Sequence, residues 1–294
     1  MPAERAIGIS PGYQKLQLTP GETYEGTISV LNPSTDPDSL VGYFVSVTPF
    51  SVSGEKYQTD FISFSDANQI VNWITIDEPS GSVQPGELVE VKYRITVPDN
   101  ALGGGQYCAL VARISDSDFE SSGYSISSRS QVASLLYATV SGELNYDGTV
   151  LENNVPAFVL SSPISTTSRL RNTGNSYADA TYVLRISNPL TEEELYSTAA
   201  SPKVNTIIPG ADLLTTNTWE ETPALGLFRV TQSISYLDEV SSVTKLVFVC
   251  PLWFLAMWFI FIVSCVAWFT SRRRARLLAK KNAKDYLKPD ISRK

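Results

Sequence analysis

The strongest constraint on this chain is an apolar run from Leu246 to Thr270, twenty-five residues without a charge, followed by Ser271, Arg272, Arg273 and Arg274. At about 1.5 Å per residue, a helix of that length crosses a hydrocarbon core of about 30 Å with length to spare. A buried core helix is the competing form, but Trp253, Trp258, Phe259, Phe261, Trp268 and Phe269 leave no polar face to show to water. The sequence therefore predicts a transmembrane helix over 246–270. It begins near Pro251, where a missing N–H costs little, and places Trp253 and Trp268 near the two interfaces.

Orientation follows from charge. Residues 271–294 carry ten basic and two acidic groups, a net +8, and subtracting this from the whole-chain charge of -7 leaves residues 1–270 at -15. The basic flank headed by Arg272, Arg273 and Arg274 belongs on the cytoplasmic side, which puts the N-terminal body outside. Because the tail abuts the membrane, its partner is the anionic face of the lipid bilayer and not nucleic acid. An exported body needs a signal peptide, and Met1 to Ala6 holds no apolar core for one, so the expectation is a chain whose signal peptide lies outside this numbering.

The body is long enough for two β-sandwiches. Cys250 and Cys265 lie in the apolar run, so Cys108 is left alone and no disulfide can close within the body. The sole Asn-x-Ser/Thr, Asn32-Pro33-Ser34, is disqualified as a glycosylation acceptor by its proline. Both features suit a bacterial envelope better than a eukaryotic secretory route.

Along the body, short period-two runs alternate with turn signals. Tyr24, Gly26, Ile28 and Val30 alternate with polar residues after the turn at Thr19-Pro20-Gly21-Glu22. Val89, Val91, Tyr93, Ile95 and Val97 alternate with Glu90, Lys92, Arg94 and Thr96, a spacing that a helix would scatter around its circumference. Gly103-Gly104-Gly105 opens the next strand. Without the lysine and helix of a phosphate loop, the triplet signals close packing or a tight turn. The strand pattern resumes at Val132 after a polar stretch and restarts beyond Ser141-Gly142-Glu143. In the second half Trp219 is expected in the core, and Phe228, Val230, Ile234 and Tyr236 form a last long strand ending near Asp238-Glu239. Ser241 to Lys245 is then a lead-in of about 17 Å at most, which keeps the second domain near the bilayer. The predicted organisation is a first sandwich at 1–141, a membrane-proximal sandwich at 142–245, the helix at 246–270 and a basic tail at 271–294.

The succession Pro20-Gly21-Glu22, Asn32-Pro33-Ser34, Trp73-Ile74, Pro85-Gly86-Glu87, Val97-Pro98 and Gly104-Gly105-Gln106-Tyr107 resembles the N-terminal domain of the WxL-interacting protein family of Gram-positive cell envelopes. The resemblance implies a mainly β fold of two immunoglobulin-like β-sandwiches, one C-terminal membrane helix and a short basic tail. It also implies binding to peptidoglycan or to a partner surface protein. It transfers no ligand contact to a particular residue.

The chemistry available is narrow. With no histidine, a Ser-His-Asp triad, a Cys-His pair and any histidine-containing zinc site are excluded. Cys108 sits in an apolar strand and reads as a small buried hydrophobe. The carboxylates Asp116, Asp118 and Glu120, and the run Glu192, Glu193 and Glu194, lie in solvated loops with no apolar pocket to raise a pKa. Calcium at Asp116 and Asp118 lacks EF-hand spacing. No catalytic, cofactor or metal residue is therefore assigned. The polar stretch 115–131 is the candidate partner-binding loop, with Phe119, Tyr124 and Arg129 as its anchoring side chains, against the plainer reading of a loop without a partner. The expected function is a single-pass, non-enzymatic surface protein of the bacterial cytoplasmic membrane that engages the cell wall or another envelope protein. The alternative is a chaperone-like or structural subunit that pairs through a strand edge.

Overall fold

A computed structural model describes residues 6–53, 58–61, 64–115 and 131–286. The first sandwich contains β1 (Gly8–Ser10), β2 (Tyr13–Leu18), β3 (Thr23–Leu31), β4 (Val41–Pro49), β5 (Ser51–Ser53), β6 (Gln58–Asp60), β7 (Ile74–Ile76), β8 (Ser80–Val83), β9 (Leu88–Thr96), β10 (Gly104–Ile114) and β11 (Gln131–Val140). The second contains β12 (Gly148–Asn154), β13 (Phe158–Val159), β14 (Ile164–Asn172), β15 (Ala178–Ser187), β16 (Glu194–Ser197), β17 (Lys203–Ile207), β18 (Asp212–Trp219), β19 (Gly226–Tyr236) and β20 (Glu239–Val249). Among the described residues one α-helix, α1 (Leu252–Tyr286), follows β20.

The fold is mainly β, two immunoglobulin-like sandwiches followed by a long apolar helix. In the first sandwich a sheet in the order β1-β3-β9-β7 faces one in the order β2-β11-β10-β4-β8; in the second, β12-β14-β18 faces β13-β20-β19-β15. In each domain the opening strands serve both sheets. β1 pairs antiparallel with β3 while β2 runs parallel to β11, and β12 pairs antiparallel with β14 while β13 runs parallel to β20.

Side-chain alternation decides which face each strand buries. In β9, Val91, Tyr93 and Ile95 point into the core and Glu90, Lys92 and Arg94 into solvent. Each buried aliphatic contributes about 1.5–3 kcal/mol relative to exposure. Trp219 is buried as expected, edge-on to Phe228 at 5.4 Å and stacked on Tyr196 at 6.0 Å. Midway along the second sandwich the core turns polar. Gln232, fully buried on β19, accepts from Thr166 Oγ1 at 2.7 Å and from Asn217 Nδ2 at 3.2 Å, and Ser168 donates to Asn153 Oδ1 at 3.2 Å. This belt divides the Ile164, Trp219 and Val230 cluster from one containing Leu170, Leu213 and Ile234.

Both domains repeat one corner. Asn32 ends its strand fully buried and donates Nδ2 to the Ser39 and Val83 carbonyls at 2.7 and 3.2 Å, while Oδ1 accepts from Ser34 N at 3.1 Å. Asn172 does the same with the Ser176 and Ile207 carbonyls at 2.9 and 2.7 Å and with Gly174 N at 2.9 Å. Each asparagine carbonyl also accepts from the glycine of a Pro-Gly turn, Gly86 at 2.9 Å and Gly210 at 2.9 Å. Those glycines hold φ of 73° and 74°, a left-handed conformation that explains why glycine stands there.

Two boundaries differ from the sequence expectation. The chain does not stop being sheet near Glu239: Glu239–Val249 forms β20, hydrogen-bonded to β19 along its whole length. The supposed lead-in is therefore part of the sandwich. The apolar run also divides, with Leu246–Val249 finishing β20, Cys250 and Pro251 making the turn, and helix starting at Leu252. A four-residue apolar stretch suits a strand as well as a helix, and pairing against β19 decides it.

Replacing Asn32 or Asn172 by alanine should cost about 2–4 kcal/mol, because buried carbonyls lose their donors. Asn100→Ala, in an exposed turn, should change stability by less than about 0.5 kcal/mol. Thermal unfolding of the detergent-solubilised chain, followed by near-UV circular dichroism, makes the comparison.

Candidate functional site

The two sandwiches meet where β10 begins and β11 ends. The glycine triplet stands here: a Cβ on Gly103 would lie 2.8 Å from the Gly142 Cα, and Gly104 takes φ of 139° against the Asn175 carbonyl. Gly105 N donates to the Asn175 carbonyl at 2.7 Å, and Asn175 Nδ2 donates to the Glu143 carbonyl at 2.8 Å. Thr139 and Ser176, both buried, share a hydroxyl bond of 2.7 Å. Apolar packing crosses the same boundary, since Tyr107, Val111 and Tyr137 on the outer face of β10 and β11 join one cluster with Tyr182, Ile208 and Ile234.

Beside this junction lies an open cleft of about 330 Å³. Its first-domain wall is Tyr13 and Lys15 from β2 with Leu135 and Tyr137 from β11; its second-domain wall is Val204, Asn205 and Thr206 from β17 with Leu213 from β18. Strand alternation sets each side chain. Odd-numbered residues of β2 point away from the first core, and β11 places Leu135 and Tyr137 on the same outer face. Lys15 Nζ bonds both oxygens of Asp179 at 2.6 Å and lies 5.4 Å from the Tyr177 ring centroid. Asp179 also accepts from Thr206 Oγ1 at 2.6 Å. Lysine and aspartate therefore neutralise one another across the junction. Burial, with Asp179 and then Tyr13 adding to it, pushes the Tyr137 phenol up to about 12, which keeps it a neutral donor.

Two strand edges border the cleft. β2 ends the order of its sheet, and β17 is joined to its sheet through β15 alone among the described residues. Tyr13 is 61% exposed and Val204 54%, so apolar side chains are presented beside these two edges. Such a surface can bind an extended chain by strand addition. It offers neither an activated nucleophile nor a matched acid and base.

A second recess of about 430 Å³ lies over Ser46, Thr48, Val111, Arg113 and Ala133, with Phe61 at its rim. Arg113 stacks over Phe44 at 5.3 Å and donates to Ser46 Oγ at 3.1 Å. Gln131, the first described residue after the polar stretch, borders this recess. The loop's anchoring candidates Phe119, Tyr124 and Arg129, with Asp116, Asp118 and Glu120, lie outside the described residues.

Arg272 and Arg273 lie on α1, stacked over Trp268 at 4.3 Å and Phe269 at 6.0 Å, with Arg274 following them on the same helix. Glu192 pairs with Arg229 at 3.1 Å on the surface. Cys108 is fully buried, and burial pushes its thiol far above the ordinary range. Among the described residues no group of three acidic or cysteine side chains is arranged to hold a metal. Tyr13, Lys15, Asp179 and Val204 were not singled out by the sequence. The visible signal was the alternation of Tyr13, Lys15 and Gln17 along β2, and the partners come from more than 160 positions away, as the Lys15–Asp179 separation of 164 shows.

No family model matches this sequence, and no curated protein matches it, so the resemblance to the WxL-interacting family rests on its turn-and-strand motifs. Similar solved structures include the class 5 fimbriae chaperone CfaA, 10% identical, covering 84% of this chain and 100% of its own with a TM-score of 0.40. Another holds the Salmonella enterica SafA pilin in complex with the SafB chaperone, at 10% identity, 82% and 95% coverage and a TM-score of 0.37. The CupB2 chaperone of Pseudomonas aeruginosa is 10% identical over 80% of this chain and 98% of its own, with a TM-score of 0.35. Scores below 0.5 leave function to be argued from this chain's own geometry.

In a Cys265→Ser chain, thiol reagents should modify neither Cys108 nor Cys250 while the protein is folded, and both after denaturation. Mass spectrometry of the labelled chain reads the outcome; modification of Cys108 in the folded state would contradict its burial.

Proposed function

We propose that this chain is a single-pass, non-catalytic protein of a bacterial cytoplasmic membrane that holds an extended segment of another envelope protein in the cleft between its two extracytoplasmic sandwiches. The anchor is α1, whose residues Leu252–Arg276 have the length and composition of a membrane span. The basic flank from Arg272 onward sets the tail in the cytoplasm.

The observation that carries the binding reading is the convergence of the β2 and β17 edges on one cleft lined by Tyr13, Leu135 and Val204. Main-chain pairing to such an edge supplies affinity, and alternate side chains seated in the cleft supply selectivity. Of the two readings the sequence left open, this favours the subunit that works through a strand edge. Wall binding through Phe119, Tyr124 and Arg129 is the competitor, and the two differ in which variant abolishes binding.

The test uses the full chain in lipid nanodiscs, titrated with synthetic peptides of alternating apolar residues and, separately, with soluble peptidoglycan fragments. The peptides should bind, and Tyr13→Ala should weaken them about ten-fold, equivalent to about 1.4 kcal/mol. Deleting residues 116–130 should leave that binding in place. Retention of peptidoglycan fragments alone, abolished by the loop deletion, would replace strand pairing with wall recognition.

A further inference from the structure

We infer that the membrane-proximal end of the second sandwich is itself a lipid-binding surface, an apolar foot seated in the interfacial layer of the bilayer beside α1. The inference rests on reading α1 as a membrane span.

Three segments meet at that end. β13 runs parallel to β20 with Phe158 opposite Phe248, and β19 places Leu227 opposite the same Phe248. Residues opposite one another on neighbouring strands share a face, so Phe158, Phe248 and Leu227 form one apolar row. Their exposure is 46%, 40% and 46%, and the two rings lie 5.8 Å apart. Leu246 extends the row one step up β20, and Leu160 and Leu225 flank it in the adjoining loops, all of them exposed.

The composition of these segments is as telling as their exposure. Residues 155–168, 222–228 and 246–271 contain no charged side chain, although residues 1–270 carry a net -15 and the exposed Glu220 and Glu221 begin the turn that holds Leu225. The first charge on the same face is Arg229, two residues up β19 and paired with Glu192 at 3.1 Å. An acidic body is repelled by anionic headgroups, so the uncharged row beside α1, and not the turn that begins with Glu220 and Glu221, is the part of this end fitted for close approach.

The length of the span points the same way. With Leu246–Val249 held in β20, the uncharged part of α1 runs only from Leu252 to Thr270, nineteen residues. At about 1.5 Å each they reach about 28 Å, slightly less than a core of about 30 Å. A short span draws its flanks towards the hydrocarbon. Only Cys250 and Pro251 separate β20 from α1, so the flank drawn down on the outer side is the sandwich end itself.

The full chain in a Cys265→Ser background, carrying Phe248→Cys or Leu225→Cys, would be labelled with a polarity-sensitive fluorophore and reconstituted into phosphatidylcholine–phosphatidylglycerol vesicles. Quencher lipids would carry the quenching group either at the headgroup level or deep in the acyl chain. Both labels should lose about half their intensity to the shallow quencher, consistent with burial about 5–10 Å into the headgroup boundary, while a label at Val204→Cys should be unaffected. Native tryptophan fluorescence with the deep quencher reports the span separately. If the tryptophans are quenched but the labels at 225 and 248 are not, the foot is overturned and the span stands. Loss of tryptophan quenching as well overturns both. Concentration-dependent excimer emission in place of quenching would assign the patch to a second copy and overturn the lipid assignment.

Discussion

The arrangement of this molecule depends on the passage from its last strand into its helix. β20 is hydrogen-bonded to β19 along its length, and Phe248 N and Cys250 N donate to the Ala157 and Val159 carbonyls at 3.0 and 2.9 Å. Two residues later the helix has begun, and Leu255 N already bonds the Pro251 carbonyl at 3.3 Å. A flexible five-residue lead-in would have let the body wander; a paired strand does not. Only Cys250 and Pro251 therefore separate the second sandwich from α1.

That constraint reaches the first sandwich through the junction. The Lys15–Asp179 pair, the Thr139–Ser176 bond and the Gly105–Asn175 bond sit together with the apolar packing of Tyr137 against Tyr177 at 5.8 Å. The ion pair alone is partly exposed and worth little. Its weight comes from acting beside buried hydroxyl and backbone bonds, which lose their partners if the domains separate. The cleft between the walls is thus held by both sandwiches together, with β20 leading from the second of them into α1.

Much of this could be read from residue spacing. The period-two runs through Val89–Val97 and around Ile28 identified strands because a half-buried strand must alternate. The Pro-Gly turn at Thr19 to Glu22 marked a strand end, whereas the corner that Asn32 and Asn172 repeat in both domains depends on the Val83 and Ile207 carbonyls, which tertiary structure brings to them. β20 is hidden in the sequence because Ser241 to Lys245 carries few apolar residues and Leu246 to Val249 merges with the helix run. Buried Gln232, Thr166 and Asn217 are hidden for a related reason: in sequence, polar residues at inward positions are indistinguishable from solvent-facing ones, and only their mutual hydrogen bonds set them apart. The cleft was illegible because its walls come from opposite ends of the body, and no local pattern joins Tyr13 to Val204.

The junction bonds and packing make the first and second sandwiches one mechanically continuous unit. Pulsed electron paramagnetic resonance tests it most directly, with spin labels at Leu88→Cys and Leu190→Cys in a Cys265→Ser chain in nanodiscs, both positions being exposed and on different domains. A single narrow distance distribution is expected, no broader than that of two labels within one sandwich. A broad or bimodal distribution would show that the sandwiches move independently and would contradict it.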